Sequence, residues 1–167
     1  MVTAQNIIEQ LSLIPLDGEG GYYRQTFKDP SLVLWTPEHK GTTSRPAVTT
    51  IYYLVTPDQF SALHKLPQTE IIHFYLGSPV EMVQISPDGE LKKITLGQDI
   101  KSGHQLQVVI NKNVWQGTRL VDGGNWALMG ATVSPGFEFE DLEVAAQKSL
   151  ISHYPQYKEE ILRFTRG

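Results

Sequence analysis

The chain has 167 residues, 40% of them hydrophobic, with 14 basic and 18 acidic side chains for a formal net charge of −4, and no cysteine. A single domain with a sizeable core fits that length, and the composition excludes a disordered chain, a coiled coil and a collagen-like repeat. Without cysteine there are no disulfides, thiolate metal sites or cysteine nucleophiles, and without a basic stripe no nucleic-acid partner is expected.

The opening stretch lacks the basic start and apolar run of a signal peptide, and no segment approaches the roughly 18 apolar residues of a membrane span. The expectation is a cytoplasmic protein with no membrane partner. Thr3 to Leu11 reads as a short helix, with Thr3 as N-cap and Ile7, Ile8 and Leu11 as its apolar stripe. Pro15 and the run from Asp17 to Gly21 end it, and Glu19-Gly20-Gly21 reads as a turn that needs a permissive backbone.

From Ala47 to Val133 the pattern turns to strands. AVTTIYYLV, EIIHFYL, PVEMVQIS, ELKKITL, QLQVVIN and WALMGATV are rich in Val, Ile, Thr and aromatics, with turn residues between them. No helical pattern intervenes, which predicts an antiparallel sandwich or barrel. After an extended link, SPGFEFE, with Phe137 and Phe139 packed inward and Glu138 and Glu140 solvated, the periodicity predicts two helices, one over LEVAAQKSLI and one after Pro155.

The most informative segment is FSALHKLPQTEIIHFYLG, Phe60 to Gly77. Strand alternation puts Glu70, Ile72, Phe74 and Leu76 on one face, and Ile71, His73 and Tyr75 on the other. Glu70 then projects inward, with His64 just upstream across a turn. An imidazole and a carboxylate converging in a barrel mouth can act as metal ligands or as an acid/base pair. His73, of opposite parity, is expected outside, in packing or a subunit contact. No G-x-S-x-G elbow, P-loop or dinucleotide fingerprint competes with this reading.

At these residues the sequence resembles the cupin superfamily. His64, Glu70 and Gly77 fall at the spacing of the first cupin motif, with Leu66 where the second histidine belongs. Gln116 stands where the histidine of the second motif would. LDGEGGYYRQTF, SRPAVTTIYYLV, VVINKNVWQGTRL and WALMGATVSPGFEFEDLE extend the likeness to the cupin-5 subgroup, whose function is unassigned. Asp17-Gly18 replaces the His-Pro that this subgroup usually carries before Glu19.

The resemblance implies a mostly β, jelly-roll cupin barrel (double-stranded β-helix) with short N- and C-terminal helices. The expected layout is one domain over 1–167, barrel core roughly 20–137 and C-terminal helices roughly 140–165. It implies a fold shared with sugar-nucleotide (dTDP-sugar) epimerases, a small polar, carbohydrate-like ligand in the barrel mouth, and a homodimer built through the sheet near His73. His64 and Glu70 are the candidate catalytic residues for isomerase or epimerase chemistry, and Glu19, Phe74, Trp115 and Gln116 the candidate ligand contacts. The alternatives are a non-catalytic small-molecule binding protein and an oxygenase-like enzyme. The latter would hold a divalent metal on His64, Glu70 and Gln116. Leu66 removes one ligand of that set, so no cofactor is assigned with certainty.

Overall fold

The structure is a computed structural model and describes residues 2–38 and 40–167. Helix α1 (Ala4–Gln10) starts at Thr3, whose side chain accepts from the Asn6 backbone while the Asn6 side chain returns the bond, a capping box. The strands follow as β1 (Ile14–Pro15), β2 (Tyr22–Lys28), β3 (Leu32–Trp35), β4 (Thr43–Pro46), β5 (Thr49–Val55), β6 (Ser61–Lys65) and β7 (Thr69–Gly77). Then come β8 (Val80–Ile85), β9 (Leu91–Leu96), β10 (Gln107–Ile110), β11 (Trp115–Leu120), β12 (Ala127–Ser134) and β13 (Glu143–Val144). Helices α2 (Gln147–His153) and α3 (Lys158–Arg163) end the chain.

Two sheets face each other: six strands in the order β1-β2-β5-β12-β7-β10, and five in the order β13-β6-β11-β8-β9. A separate ribbon pairs β3 with β4. The inward residues of both sheets, among them Val55, Ile72, Phe74, Met82 and Met129, form the main core. The outer face of the five-stranded sheet packs Leu63, Val83 and Ile85 under the C-terminal helices, through Leu150, Ile161 and Phe164. Helix α1 covers one end of the other outer face, against Leu54 and Leu128. This is the jelly-roll architecture the sequence implies. Among the described residues, no helix is long and apolar enough to cross a membrane.

Several local expectations need correction. His64 does lie across a short turn from Glu70, but it sits within β6, and the connection over 66–68 carries the chain to the facing sheet, so the two stand on opposite sheets. Leu76 leaves the inward face and is 52% exposed, because β7 pairs Phe74 with Met129 and Leu76 with Leu128, skipping Tyr75. The first C-terminal helix begins only at Gln147. Glu143 and Val144 pair instead with Lys65 and His64, giving the edge of β6 its backbone partners. In the link, Phe139 is 56% exposed. Glu140 is solvated as expected, its side chain 69% exposed though paired with Arg45, while Glu138 is 38% exposed and paired with Lys28.

Candidate functional site

Between the sheets lies a cavity of about 270 Å³. His64 and Ser61 reach it from β6, Gln116 and Thr118 from β11, Glu70 and Ile72 from β7, and Glu19 from the loop before β2. Simple alternation would send residues three apart to opposite faces. A register break between β6 and β11, pairing Gln116 with His64 but Thr118 with Ser61, brings both His64 and Ser61 inward.

Glu19 owes its position to the glycines after it. Gly20 and Gly21 have φ of +95° and +75°, and a Cβ at Gly21 would fall 2.6 Å from the Tyr53 hydroxyl oxygen. The Tyr53 hydroxyl donates to the Gly20 carbonyl at 2.7 Å. Arg166 donates to the carbonyls of Glu19 and Phe60 at 2.6 and 2.7 Å. Burial, and then the charge of Glu19, push the Tyr53 phenol well above its ordinary value, so it remains a donor.

The polar floor is one network. His64 Nδ1 is 2.7 Å from the Ala62 carbonyl, which can only accept, so Nδ1 carries a proton and Nε2 is the nitrogen turned toward Gln116 and the cavity. Gln116 Nε2 stands 3.1 Å from that nitrogen and also donates to Glu70 Oε2. Glu19 Oε2 is 3.6 Å from His64 Nε2, while Glu19 Oε1 accepts from the Ser61 hydroxyl at 2.8 Å. Burial drives the Glu70 carboxyl up to about 7; His64 and the Gln116 hydrogen bond pull it down, and Glu19 pushes it further up. Glu70 therefore changes protonation near neutral pH, where a group that both takes and gives protons is most effective.

The walls are apolar: Leu16, Ile51, Leu66, Met129 and Val133 surround this floor. At the mouth Lys28 pairs with Glu138 at 2.6 Å, beside Phe137 and Phe139, whose rings meet edge to face. The segment carrying these residues is fastened from behind. Asp141 takes a bidentate pair from Arg45, both contacts 2.9 Å, and a bond from Gln68 at 2.7 Å.

The structure thus brings His64, Glu70, Gln116 and Glu19 to one cavity. It does not bring Phe74 or Trp115 there. Phe74 lies beyond Ile72 along β7 and is buried in the core between the sheets. Trp115 precedes Gln116 on β11, so its side chain takes the opposite face, with Lys65 Nζ 4.4 Å from its ring centre. Lys28, Ser61, Thr118 and Glu138 join the site without having been singled out. Thr118 shares a face with Gln116 by simple alternation, and Ser61 could have been found by asking which neighbour of His64 a bulge would admit.

A metal does not fit these residues. Leu66 presents methyl groups to the cavity, and the Gln116 N–H pair points at both His64 Nε2 and Glu70, the direction from which a cation would have to coordinate them. Among the described residues, no group of three His, Asp or Glu side chains is arranged to hold a metal ion.

Comparison with known proteins agrees with the architecture. The family described as Cupin superfamily (DUF985), Cupin_5, matches residues 5–145. An uncharacterized protein of Saccharomyces cerevisiae is 33% identical over 147 residues, 82% of this chain and 72% of that one. A hypothetical protein from Leishmania major superposes with a TM-score of 0.90 at 29% identity, covering 99% of this chain and all (100%) of its own. A protein from Shewanella oneidensis gives 0.88 at 31% identity, with 99% of each chain covered.

Proposed function

The chain belongs to the Cupin_5 family (DUF985) of the cupin superfamily, and on that premise we propose that it binds a small, polar, carbohydrate-like molecule in the cavity and moves a proton on it. One observation carries this reading. A neutral imidazole nitrogen and a carboxyl shifted to about 7 share a single amide donor, Gln116, at the floor of a cavity that a metabolite can enter. His64 Nε2 takes the proton from a carbon made acidic by an adjacent carbonyl. Glu70, protonated near neutral pH, returns one to the other face or to the oxygen. Gln116 keeps the two groups in register, since Glu70 reaches His64 only through its amide. The reaction class is isomerisation or epimerisation without a metal.

A second reading has its own support. The walls around the polar floor are largely apolar, and Gln116 occupies the lone pair that His64 would need as a base. In that reading the protein binds its ligand and does nothing to it.

The experiment begins with a thermal-shift screen of small metabolites, in which ligand at about 100 times its dissociation constant adds roughly 2.7 kcal/mol. Each hit is then incubated in D2O and followed by NMR. Deuterium entering a carbon position with the native protein, and lost with both His64→Ala and Glu70→Gln, supports catalysis. Binding without exchange favours the second reading, and the absence of any hit rejects both.

We further propose a homodimer formed through the outer face of the six-stranded sheet, where Val109 and Tyr75 are 54% and 42% exposed.

A further inference from the structure

The hydrogen-bonding inventory of the cavity floor is one-sided. The His64 Nδ1 proton goes to the Ala62 carbonyl, the Ser61 hydroxyl proton to Glu19, the Tyr53 proton to the Gly20 carbonyl, and the two Gln116 amide protons to His64 and Glu70. Each of these donors is already engaged within the protein. What remains at the floor is acceptor capacity on Glu19 and Glu70, with the Thr118 hydroxyl free to turn either way, while the Gln25 amide and the Tyr23 hydroxyl also line the cavity.

Charge leans the same way. The titratable side chains lining the cavity are Glu19, Glu70, Glu138, Lys28, His64, Tyr23 and Tyr53. Two carboxylates, and a third whenever Glu70 is ionised, therefore face a single ammonium, and Lys28 is already paired with Glu138 at the mouth. An entering carboxylate or phosphate would meet two acidic side chains at the floor and, among the described residues there, only the Thr118 hydroxyl and the proton of un-ionised Glu70 as donors not already engaged. Like charges at such range in an apolar enclosure repel strongly. A protonated amine supplies what the floor lacks: donors and positive charge, in the form whose hydrogen bonds to carboxylates are the stronger kind. The apolar walls, and the Phe137 and Phe139 rings at the mouth, receive the body that carries it.

From this we infer that the cavity selects an organic cation, a small molecule whose protonated amino group sits between Glu19 and Glu70 with its carbon body against the apolar walls. The inference rests on the cavity being the ligand site proposed above, and it narrows that ligand to an amino-bearing one, excluding phosphorylated and acidic compounds.

The test uses three probes of one shape and different charge: benzylamine, benzyl alcohol and benzoate. Each is titrated into the full-length protein at neutral pH with EDTA present, following the His64 ring by NMR and affinity by calorimetry. Benzylamine is expected to shift the His64 signals and bind about tenfold or more tighter than benzyl alcohol, as a charge-assisted hydrogen bond exceeds a neutral one. Benzoate is expected to leave the signals in place. Glu19→Gln and Glu70→Gln should each weaken benzylamine by a similar factor, with cooperative unfolding retained as the check on folding. Benzyl alcohol or benzoate binding as tightly as benzylamine overturns the inference and leaves the ligand-site reading standing. If none of the three moves the His64 signals, the inference and that reading fall together.

Discussion

Gln116 Nε2 stands 3.1 Å from His64 Nε2 and gives its other proton to Glu70, so a neutral amide joins the imidazole to the carboxyl. The two groups come from facing sheets, and among the described residues no other side chain hydrogen-bonds to both. An amide in this place does part of what a cation would do, since its N–H bonds supply positive ends to two inward-facing acceptors. It does so with no net charge, and the enclosure raises the proton affinity of Glu70.

That arrangement makes stability depend on pH in an unusual direction. Glu70 titrates near 7 in the folded protein against 4.5 as its ordinary value. The folded state therefore holds this proton more tightly than the unfolded one. The stabilisation is fully present below pH 4.5 and is lost as pH rises through 7. The loss is on the order of 3 kcal/mol. Glu70→Gln removes the titration, so the variant should match the native protein at pH 5 and exceed it at pH 8. Urea unfolding at the two pH values measures this, and an equal native-to-variant difference at both would sink the assignment.

The resident-metal alternative has an equally direct check. Protein purified without chelator is expected to carry far less than one equivalent of zinc, iron, nickel or manganese by elemental analysis. Leu66→His combined with Gln116→His supplies two imidazoles beside His64 and Glu70, and should raise bound metal toward one equivalent. Near-stoichiometric metal in the native protein, lost in His64→Ala, would contradict the misfit argued from Leu66 and Gln116.

The fold was legible because its signals are local. Thr3 announces α1 as a cap, and β5 and β7 are largely runs of β-branched and aromatic residues. The convergence of His64, Glu70 and Gln116 was legible through motif spacing. The remainder depends on events that period-two reasoning cannot register. The register break on β6 turns Ser61 inward beside His64, and the skipped Tyr75 sends Leu76 outward. Phe74 and Trp115 have the aromatic character of ligand contacts, but their places along and across their strands take them elsewhere. Glu138 reaches the mouth because Asp141 is held by Arg45, a side chain 96 positions away in sequence. No short-range pattern carries that contact.

The Arg45–Asp141 pair should be costly to break. Arg45 and Asp141 are 6% and 5% exposed, and removing one member of a buried pair leaves an uncompensated charge, at a cost of about 3–5 kcal/mol. Asp141→Ala is expected to lose stability of that order in chemical denaturation. Glu140→Ala, whose partner keeps Asp141, should lose less than about 1 kcal/mol. Equal small losses in both would show that the clamp contributes little to holding the segment at the mouth.

The last expectation concerns assembly. Helix α1 covers the outer face of the six-stranded sheet only around Leu54 and Leu128. On the uncovered part, Tyr75 stacks on His73, whose ring nitrogens meet Gln107 at 3.1 Å and Thr132 at 3.2 Å, so the imidazole is held in place. Ile71 and Val109 are paired in register beside it on β7 and β10. An ordered, partly apolar face of this kind suits a two-fold contact, in which the same patch meets itself. Light scattering on a size-exclusion column should return twice the 18.8 kDa of one chain at micromolar concentration. Ile71→Asp should halve that mass without abolishing cooperative unfolding, since the side chain lies outside the core. A native mass of one chain rejects the dimer, and a dimer untouched by Ile71→Asp places the contact on another surface.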